Sequence, residues 1–288
     1  MLSIMEEQAR IKGLDTFLCN YPYKKEGLSI VNVISMDQQS QTGIRFEAFI
    51  RRINLINKKH KIKKIVLILT DFLYRHYLAL DVDLNLSEIN ILANKKGKSW
   101  MEKNGETLIF LLDKSIKFKI LRWEALFVRD DFSHSLAVVK NLYYQNNEFK
   151  LIVDELSQKY AEKFICRTVG FKNPVEITSC FNAAKNYLLE ESAIWGSLIN
   201  LDFDFVTYPG RKNEAIGYTY NIFESEIGSL KWFRYSFEKK MISVSENQTK
   251  KSKNIINLSD ASFFISKTQT NIGNSKEEKY YQERKCSV

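Results

Sequence analysis

Three histidines, His60, His76 and His134, are all that the 288-residue chain contains. A zinc centre or a Ser-His-acid triad is poorly supplied on that stock, and a lone histidine beside a basic or aromatic segment is more often a surface or core residue than a catalyst. The four cysteines, Cys19, Cys166, Cys180 and Cys286, are scattered and form no C-x-x-C pair, which argues against a disulfide framework and for a reducing, cytoplasmic setting. No apolar run approaches the ~20 residues of a membrane span. The start, MLSIMEEQARIKG, places acidic residues where a signal peptide needs an apolar stretch. G-x-G-x-x-G, G-x-x-x-x-G-K-[ST], G-x-S-x-G and H-E-x-x-H are all missing, so dinucleotide binding, a P-loop for ATP and the commonest hydrolase and metalloprotease sites are not indicated.

What the chain does have is a hydrophobic content of 44% and a basic surplus, 43 Lys and Arg against 34 Asp and Glu, for a formal charge of +9 and a pI near 9.1. The first is ample for a buried core; the second suits a polyanion such as nucleic acid. Five β-branched apolar runs read as buried strands: 28–35, 64–70, 107–112, 163–169 and 203–208. Between them lie helical patterns. In GIRFEAFIRRINLINKKH, Phe46, Phe49, Ile50, Ile53 and Ile56 recur at helical spacing against Arg51, Arg52, Lys58 and Lys59. EFKLIVDELSQKYAEKF alternates likewise, and PVEITSCFNAAKNYLLEESAIW opens with Pro174 near a helix start. Strands alternating with helices predict an α/β, Rossmann-like fold with a mostly parallel sheet covered on both faces, as one domain over 1–246 and a polar, weakly packed tail over 247–288.

Ligands of such sheets sit beyond the carboxyl ends of the strands, which draws attention to Ser35, Asp71 and Tyr208. Ser35 is the first hydroxyl after the run LSIVNVI. In NYLLEESAIW, Tyr187 and Glu191 are four apart, so phenol and carboxylate share one helix face, while Glu190 points about 100° away. Tyr208 ends a strand at Pro209 and Gly210. Taken singly, these are a turn residue, a packed aromatic, a solvated acid and an ordinary strand exit.

Together they resemble the cyclodipeptide synthases. That family carries a serine nucleophile at a strand end, then Tyr-x-x-x-Glu on a helix, then a tyrosine ending another strand; here these are Ser35, Tyr187 with Glu191, and Tyr208. Gln38 and Pro209 match the subgroup with a variable residue after the serine and a Tyr-Pro pair. TDFLYRHYLAL resembles the family's Asp-x-x-x-Arg region, through Asp71 and Arg75. The resemblance spans residues 28 to 235. Val33 stands where many members have glycine, which implies a narrower acyl pocket.

The resemblance implies a fold similar to the catalytic domain of class I aminoacyl-tRNA synthetases, and an aminoacyltransferase that needs neither ATP nor metal because its substrates are already activated esters. Ser35 would take the first aminoacyl group, a second aminoacyl-tRNA would extend it to a dipeptidyl-enzyme, and ring closure would release a diketopiperazine. Glu191 and Tyr187 would hold the ammonium, and Tyr208 would relay protons. Gln38 and Pro209 would shape the substrate site, with Val31, Val33 and Leu67 lining a pocket for small or medium side chains. Lys95, Lys96, Lys98 and Lys103 of ANKKGKSWMEKNG would hold the tRNA backbone, with Arg51, Arg52, Lys58 and Lys59 as a second candidate. Aminoacyl-tRNAs are the expected partners, with no role for DNA or a membrane, and the protein is expected to act as a monomer. The alternative is a non-catalytic, class I synthetase-like tRNA-binding protein, for which KKMIS (239–243) offers a faint resemblance to a synthetase loop without a His-x-Gly-His partner.

Overall fold

Among the described residues, six strands form one sheet: β1 (Leu2–Ile11), β2 (Leu28–Ile34), β3 (Ile62–Leu69), β4 (Lys117–Arg122), β5 (Phe205–Tyr208) and β6 (Lys231–Val244), in the spatial order β1-β6-β5-β2-β3-β4. The computed structural model describes residues 2–21, 26–36, 38–171, 173–199, 203–227 and 230–244. One unit runs from Ile4 to Ile242; the other, Met1–Ser3 with Ser243–Val288, lies almost wholly outside the described residues, as does the tail expected from residue 247. The pairs β2–β3, β2–β5, β3–β4 and β5–β6 are all parallel, so the fold is the expected mostly parallel α/β arrangement.

The helices are α1 (Leu14–Asn20), α2 (Gly43–Asn57), α3 (Arg75–Leu78), α4 (Leu86–Leu111), α5 (Trp123–Phe127), α6 (Asp130–Gln145), α7 (Asn147–Arg167), α8 (Ile177–Ser192), α9 (Ile194–Ile199) and α10 (Glu214–Ile227). They cover both faces of the sheet. Strand alternation sends Val31, Val33, Val66, Ile68 and Val206 to the face packed by α5 to α10, and Ile30, Ile34, Ile65, Leu67, Leu69 and Phe205 to the face packed by α1, α2 and the Trp100 and Leu108 side of α4. Each fully buried aliphatic side chain of these two cores contributes roughly 1.5–3 kcal/mol.

Two of the runs read as strands are helical. TLIFLL (107–112) closes α4, and KFICRTV (163–169) closes α7 and continues into a 3₁₀ turn. Their apolar residues belong to longer helical stripes, Trp100, Asn104 and Leu108 in one and Val153, Ser157, Ala161 and Phe164 in the other. Each run ends such a stripe and leaves some apolar side chains in solvent: Ile109 and Phe110 are 49% and 67% exposed. Capping also favours the helix. At the start of α4 the Asn85 side chain accepts the Glu88 N–H (3.1 Å) while the Glu88 carboxylate accepts the Asn85 N–H (2.8 Å).

The order of strands places a topological switch in the centre of the sheet. From β2 the chain moves outward through β3 to β4, then returns to β5 on the other side of β2 and moves out to β6. Connections on either side of β2 and β5 leave in opposite directions, which opens a crevice at their carboxyl ends. Ser35 follows β2 and Tyr208 ends β5, so both residues flank that crevice.

Candidate active site

The turn after β2 is held from inside the protein by Gln41. Its Oε1 accepts the Ser35 backbone N–H (2.8 Å), its Nε2 donates to the Val33 carbonyl (2.6 Å) and its own carbonyl accepts the Trp100 indole N–H (2.9 Å). Gln41 is fully buried, and a buried amide with its donors and acceptors satisfied fixes the backbone around it. Ser35 is presented, partly buried, at the strand end. Three residues on, Gln38 Nε2 donates to the Tyr208 hydroxyl oxygen (2.8 Å), joining the β2 turn to the end of β5.

Glu191 lies on α8 facing this junction. Tyr187, one turn earlier, donates a hydrogen bond to its carboxylate, yet burial outweighs that bond and pushes the Glu191 carboxyl up to about 7. Burial and the facing carboxylate push the Tyr187 phenol well above its ordinary value, and burial followed by the Glu191 charge does the same to Tyr208. A third phenol, Tyr160 of α7, stands beside them with its ring 6.3 Å from that of Tyr187. Burial and Glu191 push it up to about 12, opposed by a hydrogen bond with Asn213. The result is one carboxyl titrating near neutrality among three phenols that stay protonated. Such a group can bind an ammonium as a carboxylate and take a proton from it, the requirement for a general base.

The adjacent residue has the opposite environment. Glu190 is buried; Arg75 donates to both of its oxygens, His76 Nε2 lies 2.8 Å from Oε2 and Trp123 Nε1 donates to Oε1 (2.7 Å). Burial raises its carboxyl, but the bonds from His76 and Arg75 outweigh burial and hold it below the ordinary range. Arg75 therefore serves this internal hub, stacked over the Phe72 and Phe127 rings at 4.4 and 4.8 Å. Asp71, its partner in the Asp-x-x-x-Arg segment, is also fully buried, where it accepts from Arg122 and from the Trp123 and Phe72 N–H groups (3.2 and 2.9 Å). Between them Asp71 and Glu190 grip Trp123 by backbone and indole.

Trp123 is one wall of a cavity of about 180 Å³ that Val33, Gln38, Tyr160, Glu191, Ile194, Trp195, Tyr208 and Trp232 also line, with Gly210 to Asn213 at one side. The structure thus brings together Val33, Gln38, Glu191 and Tyr208, with Tyr187 joined to them through Glu191. Ser35 lies between Val33 and Gln38 in the chain and does not itself line the cavity; Pro209 is in the adjoining wall segment. Val31 is buried in the core on the same sheet face. Leu67, expected beside it, points to the opposite face: it pairs with Asn32 in register, whereas Val66 and Ile68 pair with Val31 and Val33. Tyr160, Trp123 and Asn213 were not legible as site residues. Tyr160 sits in an ordinary amphipathic helix, and only the packing of α7 on α8 carries it to Glu191.

The four expected tRNA-binding lysines all lie on α4. Lys95, Lys98 and Lys103 are exposed, Lys98 lying 3.9 Å from Glu102, while the Lys96 ammonium sits 3.9 Å from the Tyr74 ring centroid, beside the phenol cluster. On α2 the cations are more fully committed, Arg52 to Asp15 (2.6 Å) and Arg51 to Glu47 (3.9 Å). A larger open cleft of about 490 Å³ between α2 and the sheet edge is lined by Glu7, Arg45 and Arg51 among others; it holds Arg51 of the second expected tRNA-binding set and none of the expected catalytic or substrate-binding residues. Among the described residues no group of His, Cys, Asp and Glu is arranged to hold a metal, and no helix is long and apolar enough to cross a membrane.

No protein-family model matches the chain, and no curated protein matches it in sequence. Solved structures do match. A cyclodipeptide synthase from Candidatus Glomeribacter gigasporarum bound to Phe-tRNAPhe is 26% identical, with a TM-score of 0.68 over 82% of this chain and 98% of that one. A CDPS from Fluoribacter dumoffii gives a TM-score of 0.67 at 21% identity, over 82% of this chain and 100% of its own. A cyclodipeptide synthase from Bacillus thermoamylovorans gives 0.52 at 13% identity, over 81% and 96%. All three of these structures are cyclodipeptide synthases, and each is matched along nearly its whole length.

Proposed function

We propose that this chain is a tRNA-dependent cyclodipeptide synthase of the subgroup with a variable residue and a Tyr-Pro pair, here Gln38 and Tyr208-Pro209. The observation that carries the reading is the Glu191 carboxyl, raised to about 7 among Tyr187, Tyr208 and Tyr160 in a crevice that Gln38 ties to the Ser35 turn. The Candidatus Glomeribacter gigasporarum structure, bound to Phe-tRNAPhe, supports aminoacyl-tRNA as the substrate class.

The Ser35 hydroxyl attacks the first aminoacyl ester, the new Oγ–C bond replaces the bond to the tRNA 3′ oxygen, and that oxygen leaves with a proton. The second step has a direction set by what must remain on the enzyme. The amine of the acyl-serine attacks the carbonyl of the second aminoacyl-tRNA, releasing that tRNA and leaving a dipeptidyl-serine; attack the other way would leave the dipeptide on tRNA. The terminal amine then attacks the serine ester, closing the six-membered ring and returning the proton to Ser35 Oγ. Each amine must lose a proton to react. Glu191 meets both needs, anchoring the ammonium and accepting its proton, with Tyr187 orienting the carboxylate. Gln38 donates to the Tyr208 oxygen, so the Tyr208 O–H is turned toward other acceptors and can pass a proton during ring closure.

The alternative, a tRNA-binding protein without chemistry, has no use for a raised carboxyl among phenols. The test is mass spectrometry of medium from bacteria expressing the wild type and Ser35→Ala. New cyclic dipeptides from the wild type alone are expected; none from well-folded wild type would favour the binding protein.

A further inference from the structure

Beyond Tyr208 the chain runs Pro-Gly-Arg-Lys-Asn, and Gly210, Arg211, Lys212 and Asn213 all line the cavity that contains Glu191. Both ends of this segment are anchored. Tyr208 is bonded to Gln38 (2.8 Å), and Asn213 Oδ1 caps α10 by accepting the Ile216 N–H (2.8 Å) while its amide also bonds Tyr160. Lys212 lies flat against the aromatic wall, its ammonium 3.4 Å from the Tyr220 ring centroid. Arg211 differs: it is exposed at the mouth and forms no ion pair or hydrogen bond among the described residues. A fixed segment therefore holds a solvent-facing guanidinium at the lip of a cavity whose inner wall carries an acid.

That polarity matches one part of the substrate. An aminoacylated 3′ end carries an ammonium on one side of its ester carbonyl and a phosphodiester on the other. With the ammonium at Glu191 and the carbonyl at the strand ends, the phosphodiester emerges at the mouth. We infer, on the basis of the proposed function, that Arg211 binds the 3′-terminal phosphodiester of the aminoacyl-tRNA, a contact separate from the lysines of α4. Guanidinium is suited to this, since its planar fork can meet two phosphate oxygens. An acyl side chain is the less fitting occupant, because it would lie in the buried interior, where Arg211 is not.

The experiment compares wild type, Arg211→Ala, Arg211→Gln and Arg211→Lys in steady-state turnover of two differently charged tRNAs over a range of salt, with melting curves to verify folding. Arg211→Ala and Arg211→Gln should raise KM for both tRNAs on the order of tenfold, leave kcat within about twofold, and flatten the salt dependence of KM by about one contact. Arg211→Lys should recover part of the loss. Unchanged KM and salt slope in Arg211→Ala would overturn the assignment, as would an effect confined to one amino acid, which would place Arg211 on the acyl side chain. Failure of the wild type to form acyl-serine from any charged tRNA would instead remove the proposed function itself.

Discussion

Glu190 and Glu191 are neighbours in the chain and opposites in chemistry. Glu190 is saturated by Arg75, His76 and Trp123 and stays ionised; Glu191 has the Tyr187 phenol as its partner, and burial makes it hold its proton to about 7. The difference is a stability statement as well as a catalytic one. An unfolded glutamate releases its proton near 4.5 and the folded Glu191 near 7, so the folded state binds the extra proton between these values. Stability from this residue is fully present below 4.5 and is lost as pH rises through 7, by up to about 3 kcal/mol. Glu191→Gln carries no such loss. Its melting temperature should match the wild type's at pH 4 and exceed it increasingly up to pH 8, while turnover falls on the order of a hundredfold. In the wild type, turnover should rise with pH through about 7 as the carboxylate appears, a limb absent from the variant. Parallel melting curves from pH 4 to 8 would show that Glu191 is not buried as described.

Helix α4 shows how far elements were readable and where reading failed. Its lysines are visible in the sequence, but Gly97 argues against a continuous helix until its surroundings are known. A Cβ at Gly97 would lie 2.1 Å from Asp71 Oδ2 and 2.9 Å from Asp71 Cβ, and Asp71 cannot retreat because Arg122, Trp123 and Phe72 hold it. Glycine is there to let the helix touch the end of β3. On the same helix Gly105 has nothing within 4 Å of an added Cβ. Gly97→Ala should therefore destabilise by roughly 1–3 kcal/mol through overpacking, whereas Gly105→Ala should stabilise by up to about 1 kcal/mol through helix propensity. Denaturant unfolding of the two variants measures both, and a gain at Gly97 would refute the contact. The strands at the switch point, β2, β3 and β5, were legible because they are largely buried on both faces and read as mainly apolar, β-branched runs. β4 was not: as an edge strand its sequence KFKILR alternates lysine with apolar residues and exposes Phe118. The site follows the same division. Ser35, Tyr187, Glu191 and Tyr208 sit at strand ends or on a four-residue helical spacing, but Tyr160, Trp123 and Asn213 join the cavity that Glu191 lines only through long-range packing that no local pattern encodes.

At the scale of the molecule the surplus of +9 matters only through where it is uncompensated. On α2, Arg52 and Arg51 face Asp15 and Glu47; on α4, Lys95 and Lys103 are exposed with no ion pair among the described residues, and Lys96 reaches back over Tyr74 toward the phenols. A nucleic acid approaching the crevice would meet α4 as the less neutralised surface, and its backbone would displace counterions there in a sequence-independent way. This can be separated from a general attraction by two variants of equal net charge. Lys95→Glu with Lys98→Glu on α4 should raise KM for every charged tRNA alike and flatten its dependence on salt, by about one contact for each lysine that meets a phosphate. Lys58→Glu with Lys59→Glu, beyond the end of α2, removes the same charge and should leave both quantities near the wild type. Equal effects from the two pairs would mean that tRNA responds to the field of the whole protein, and α4 would then hold no privileged place in the path that leads the acyl group to Ser35.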